Sequence, residues 1–146
     1  WASGTTDIRR GKMWKEVYDD YWWTYYYYIT KYTQATNMPV LAKNSIPLFR
    51  LAEMYLIAME CGSIQNANDL YKEVCIARDI TPVTFGSTEE LLETLILEYN
   101  REFYGEGQAF YAYKRLGRSK ILGTSTVGSA LIYVLPLPKA ESLYIQ

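Results

Sequence analysis

A chain of 146 residues that is 49% apolar and 21% charged has the balance of a domain with a real hydrophobic core, which excludes disorder as its main state. Its 15 basic and 16 acidic residues leave a net charge of -1 with no Lys/Arg cluster, so nucleic acid is not an expected partner. Histidine is absent, which removes the base of Ser-His-Asp and Cys-His hydrolases together with the commonest zinc ligand. No catalytic residue, metal or cofactor is therefore expected.

The aromatic residues come first along the chain. Between Trp14 and Tyr32 stand Tyr18, Tyr21, Trp22, Trp23, Tyr25, Tyr26, Tyr27 and Tyr28, a density that favours strand over helix. An extended Tyr21–Tyr32 would carry Trp22, Tyr26, Tyr28 and Tyr32 on one side and Tyr21, Trp23, Tyr25 and Tyr27 on the other. Composition shifts near Ala42-Lys43-Asn44-Ser45, after which four helices are expected. The first is capped by Ser45, holds Pro47 in its opening turn and stops at Gly62. Leu48, Leu51, Ala52, Tyr55, Leu56 and Met59 form its apolar face, opposite a stripe of Arg50, Glu53 and Glu60. The second helix runs from Ala67 to about Asp79 after Asn66, with Arg78 inside its apolar sector. The third opens with the capping box Ser87-Thr88-Glu89-Glu90 and carries Leu91, Leu92, Leu95, Ile96, Tyr99 and Phe103, with Glu102 inside that sector. The fourth spans Gln108 to Leu116 and ends at Gly117.

Cys61 and Cys75 lie within these helical patterns and are expected as free buried thiols, although a disulfide is geometrically open. Beyond Gly123 the run from Ala130 to Leu135 reads as an extended apolar strand closed by two prolines. Short connections favour antiparallel neighbours, giving a mainly α fold of stacked helical hairpins in the tetratricopeptide manner. It would form a single domain: an aromatic extended segment over 1–45, a four-helix core over 46–117, and a loop with an extended tail over 118–146. No stretch is long and apolar enough to span a bilayer.

Two sets of residues invite a chemical reading. Glu98, Glu102 and Glu106 recur every four residues, but Gly105 and Gly107 break the helix there, so the spacing does not fix a glycosidase-like carboxylate pair. Glu102 reads instead as a buried structural carboxylate, able to accept from the backbone N–H groups near Gly107 and Gln108. Arg50, Glu53 and Arg78 read as structural charges, with Glu53 and Arg78 the preferred ion pair. The aromatic segment is the other set. Indole and phenol rings offer flat apolar faces that stack on sugar C–H faces, and Tyr hydroxyls bond sugar hydroxyls. Trp14, Trp22, Trp23 and Tyr26 are the candidate ligand-binding residues.

A series of motifs in fixed order carries a family resemblance. It starts with Asp7-Ile8-Arg9, Lys31-Tyr32 and Ile46-Pro47-Leu48-Phe49-Arg50-Leu51-Ala52-Glu53-Met54-Tyr55-Leu56-Ile57. It continues through Tyr71-Lys72-Glu73-Val74, Ala77-Arg78, Glu98-Tyr99-Asn100-Arg101-Glu102-Phe103 and Gly105-Glu106-Gly107-Gln108, and closes with Lys114-Arg115-Leu116-Gly117 and Tyr133-Val134-Leu135-Pro136-Leu137-Pro138. The chain resembles the C-terminal portion of SusD/RagB-type nutrient-binding lipoproteins. The resemblance implies a non-catalytic, tetratricopeptide-like scaffold on the outer face of a Bacteroidetes outer membrane. Such a protein captures oligosaccharides, or in some members peptides, for a TonB-dependent, SusC-type transporter. The chain begins at Trp1 without an initiator Met, signal segment or lipidatable Cys, so it reads as a fragment whose lipid anchor lies outside it. Tyr99-Asn100 stands where many relatives carry a charged pair, and Ala112-Tyr113 where many carry Asp-Leu. A helical scaffold that binds only a protein partner is the alternative reading.

Overall fold

The computed structural model describes residues 6–32 and 48–134. The fold is mainly α, with the element order α1 (Ile8–Met13), β1 (Trp14–Asp19), β2 (Thr24–Ile29), α2 (Leu51–Cys61), α3 (Ile64–Arg78), α4 (Thr88–Glu102), α5 (Gln108–Arg115) and α6 (Ala130–Tyr133). It divides into two compact units, Trp1–Leu95 and Ile96–Gln146, with the division inside α4.

In the first unit, Asp7 starts α1 by accepting a hydrogen bond from the Arg9 backbone N–H at 3.0 Å. The same carboxylate holds the Arg9 guanidinium through Nε at 3.0 Å and Nη2 at 2.7 Å. Both side chains are buried, so the motif Asp7-Ile8-Arg9 is a cap and a buried ion pair in one. Two-point contact of this kind is what makes a buried charge tolerable. The Thr6 hydroxyl donates to the Asp79 carbonyl, tying the start of α1 to the end of α3.

Helix α2 begins at Leu51, with Arg50 as its N-cap and Gly62 as its C-cap. Ser45 and Pro47 lie outside the described residues, yet Leu48 and Phe49 are already non-helical and exposed. The expected start is therefore corrected to Leu51. The expected apolar face narrows as well, because Leu56 and Met59 are buried whereas Leu48 and Leu51 are exposed. Helices α2 and α3 pack together across the two-residue link Gly62-Ser63.

Helix α3 starts three residues before its expected position. Ser63, not Asn66, is the N-cap, its hydroxyl accepting from the Asn66 N–H at 3.2 Å. Its buried face is Ala67, Asn68, Tyr71 and Cys75. Asn68 is buried because both ends of its amide are used, Oδ1 accepting from Phe85 N at 2.7 Å and Nδ2 donating to Phe85 O at 3.1 Å. That clamp sets the Phe85 ring 5.1 Å from Tyr71. Cys75 is buried and Cys61 exposed, both as free thiols, so the expectation of two buried thiols is corrected at Cys61, the last residue of α2.

Among the described residues Glu53 and Arg78 do not form an ion pair with each other. Starting α2 at Leu51 puts Glu53 in its first turn, and Arg78 closes the last turn of α3. Each charge thus sits at the helix end whose macrodipole favours it.

The start of α4 follows the sequence pattern, with Ser87 Oγ accepting from Glu90 N at 3.3 Å. The Glu90 carboxylate reaches back to Gly86 N at 2.8 Å, one residue before the usual capping-box partner.

In the second unit the chain leaves α4 through Gly105 and Gly107, both at positive φ (78° and 76°), and enters α5 directly. A side chain at either position would strain the backbone. Helix α5 ends through Gly117 at φ 59°, with Arg118 N bonding Tyr113 O at 3.0 Å. The two departures from the family pattern meet here, because Asn100 Nδ2 donates to Tyr113 Oη at 3.2 Å. Leu122 N donates to the same oxygen at 2.9 Å. Arg115 lies over the Tyr99 ring, 5.5 Å from its centroid, and donates to its hydroxyl at 3.2 Å.

The expected extended run at 130–135 is corrected over its described part. Ala130–Tyr133 is a short helix, opened by the Ser129 carbonyl, which accepts from Ile132 N and Tyr133 N at 3.0 Å each. Local capping outweighs the β propensity of Ile132 and Tyr133 because the Tyr133 ring then packs edge-on against Phe110, with centroids 6.0 Å apart.

Candidate functional site

The aromatic segment is not one strand but an antiparallel hairpin. Asp19 makes the difference. Its Oδ1 accepts from Tyr21 N at 2.8 Å and Trp22 N at 3.0 Å, the side-chain geometry by which Asp starts a turn. Asp20 to Trp23 then form the turn, and Trp23 takes φ 52°. A bulky L-residue in the left-handed region is a genuine outlier that costs about 1–2 kcal/mol. Strain of this size is often kept where a side chain must be displayed, and here it presents an indole at 82% exposure beside Trp22 at 72%.

The register pairs Trp14 with Ile29, Glu16 with Tyr27, Val17 with Tyr26 and Tyr18 with Tyr25. Because paired residues share a face, one face carries Trp14, Glu16, Tyr18, Tyr25 and Tyr27. The other carries Lys15, Val17, Tyr26 and Tyr28. The expected division of the rings is corrected: within β2 the alternation holds, but Trp22 and Trp23 leave it at the turn. Of the candidate ligand-binding residues, Trp14 and Tyr26 lie on opposite faces, and Trp22 and Trp23 form the tip. They do not converge on a single point.

The Trp14 face is the more organised. Tyr18 and Tyr25 pack together with centroids 4.9 Å apart and their planes tilted by 56°, and the Tyr27 hydroxyl donates to the Glu16 carboxylate. Trp14, Glu16 and Tyr27 line a concavity of about 530 Å³ together with Asp7, Arg10 and Lys12 from α1. Sequence reading missed Glu16, Tyr27 and the two cations. The available signal was Asp19-Asp20, a turn pair that splits the aromatic run into two paired strands. After the hairpin, the Lys31 ammonium lies 5.9 Å from the Tyr32 ring centroid, within cation–π range.

The carboxylates that recur along α4 are part of the packing. Glu98, at 1% exposure, holds Arg101 Nη1 at 2.8 Å, and Glu102 is buried one turn further on. Arg50 and Arg78 are half-buried. Among the described residues no cluster of His, Cys, Asp or Glu is arranged to hold a metal ion.

The SusD family model matches residues 15–125, which takes in the hairpin and α2 to α5. The chain belongs to the SusD family. No curated protein and no solved structure matches it. SusD-family membership implies nutrient binding, of glycans in polysaccharide utilisation generally, by proteins that bind rather than catalyse and are generally associated with the outer membrane. In this SusD-family chain no helix among the described residues is long and apolar enough to cross a membrane.

Proposed function

We propose that the chain takes part in non-catalytic capture of oligosaccharide at the outer-membrane surface, for delivery to a TonB-dependent, SusC-type transporter. The aromatic hairpin would be its glycan-contacting element. The observation that supports this reading is the exposure of Trp22 and Trp23 at a strained turn. Burying a Trp side chain is worth a few kcal/mol, so two indoles displayed in water await a flat partner, and a sugar ring supplies one. Trp14 and Tyr26 would extend the contact along the two faces of the hairpin. Stacked helical hairpins would supply the scaffold, with Arg50, Glu53, Arg78 and Glu102 acting as structural charges. The membrane association would come from a lipid anchor.

Isothermal titration of the full-length protein against a polysaccharide panel should give saturable binding of at least one glycan, with a tryptophan fluorescence change. Trp22→Ala with Trp23→Ala should remove both signals. Null heats across the panel, or binding that survives the double substitution, would overturn the hairpin assignment. A scaffold that binds only protein would appear as co-purification with a transporter untouched by these substitutions.

A further inference from the structure

The concavity between α1 and the Trp14 face of the hairpin differs from the exposed tip in its charge. Four ionisable side chains other than tyrosine line it: Asp7, Arg10, Lys12 and Glu16. The two acids are already engaged, Asp7 by the buried Arg9 guanidinium at 2.7 Å and Glu16 by the Tyr27 hydroxyl. Neither cation has an ion-pair partner among the described residues. Both belong to the last turn of α1. Gly11 lies between them and lines the same concavity, and a Cβ there would meet nothing within 4 Å. Trp14 and Tyr27 from the hairpin line the same concavity.

A ring face next to uncommitted cations selects a ligand that is both flat and negatively charged. A neutral sugar would use the rings alone. A sugar carrying carboxylate or sulfate would also take charge-assisted hydrogen bonds from Arg10 and Lys12, roughly twice as strong as neutral ones. Arg suits this role because its planar fork matches an oxyanion. Glu16, held by Tyr27, would offer an acceptor to sugar hydroxyls.

We infer that this concavity is a subsite for an anionic oligosaccharide, in which Trp14 and Tyr27 face the sugar ring and Arg10 and Lys12 bind its carboxylate or sulfate. The inference rests on the glycan-capture reading above and narrows its ligand class.

The test is titration of the full-length protein with four probes: an oligogalacturonate, the same oligomer fully methyl-esterified, a chondroitin sulfate oligosaccharide and a neutral malto-oligosaccharide. At least one acidic probe should bind about tenfold or more tighter than both neutral ones, with an affinity that falls as salt is raised. The esterified oligomer isolates charge from sugar shape, and the sulfated probe distinguishes the two kinds of anion. Lys12→Glu, at an exposed position, and Arg10→Gln should each weaken the acidic probe about fivefold or more and leave neutral glycans unchanged.

Neutral probes that bind as tightly as acidic ones would overturn the anionic subsite while leaving glycan capture standing. An acidic affinity indifferent to both substitutions would overturn the subsite in the same way. No binding by any probe would overturn the subsite and count against glycan capture together.

Discussion

The aromatic hairpin and the helices use the same residue types in opposite ways. In the helices and their links, Tyr71, Phe85, Tyr99, Phe103, Tyr113 and Tyr133 are buried and only some rings, such as Tyr104 and Tyr111, are exposed, whereas in the hairpin Tyr18, Tyr21, Trp22, Trp23 and Tyr25 to Tyr28 are all exposed. The buried phenols have assigned tasks as well as volume. Tyr113 gathers Asn100 and Leu122, Tyr99 takes Arg115, and Tyr133 donates to the Arg118 carbonyl. The hairpin rings mostly face water and one another. Ring chemistry alone therefore does not distinguish core from binding surface; the geometry that delivers the ring does.

The comparison breaks first at Phe103, a fully buried ring packed 5.7 Å from Tyr99. Phe103→Ala should cost about 3–5 kcal/mol in denaturant unfolding, whereas Trp22→Ala should stay within about 0.5 kcal/mol. Equal losses would mean that the hairpin rings belong to the core.

Gly128 probes how closely a buried phenol is held. A Cβ there would run into the Tyr133 hydroxyl and the Arg118 carbonyl, so Gly128→Ala should destabilise by about 1–3 kcal/mol, seen as a lower denaturation midpoint. Because the Tyr133 ring end is one of the two obstructions, pairing it with Tyr133→Leu should recover part of the loss and leave the part due to the Arg118 carbonyl.

Trp23 gives the opposite sign. Trp23→Gly relieves the left-handed strain and should raise stability by about 1 kcal/mol while weakening glycan binding. A variant that loses stability instead would show that the indole is held by contacts of its own.

The smallest effect is a matter of pH. Tyr55 donates to Glu73 at 2.6 Å, and this bond, then the repulsion of the neighbouring carboxylate, then slight desolvation, raise its phenol above 10.0. Burial, and then Tyr113, raise Tyr133 in the same direction. A raised folded-state value means that the contribution is complete below pH 10 and is lost as pH rises through the raised value. Tyr55→Phe should therefore be less stable than the parent below pH 10, with the gap closing above it. A constant gap in alkaline titrations of stability would exclude the linkage.

Much of this was legible in the residues. The positions of Gly62 and Gly117 as helix ends, the Ser87 cap and the order of four helices after residue 48 follow from backbone rules that act within a few residues. Arg10, Lys12 and Tyr27 were not legible as a site. Tyr27 lies 15 or more residues from the two cations across a turn, and nothing in composition says that α1 and β2 flank the same hollow. Glu98 is more buried than Glu102, yet the sequence pattern points to Glu102, because both fall on helical spacing and only packing decides which is enclosed.

By itself, then, the sequence determined the mainly α class, the density of rings before residue 33 and the SusD-family motifs, since short-range capping, periodicity and composition are written residue by residue. Tertiary structure alone decided that α1 and the Trp14 face of the hairpin line one concavity, that Asn68 clamps Phe85 and that Asn100 meets Tyr113. Each depends on a contact between groups that the chain brings together only after its local elements have formed, and a pattern of neighbours along the chain does not carry that information.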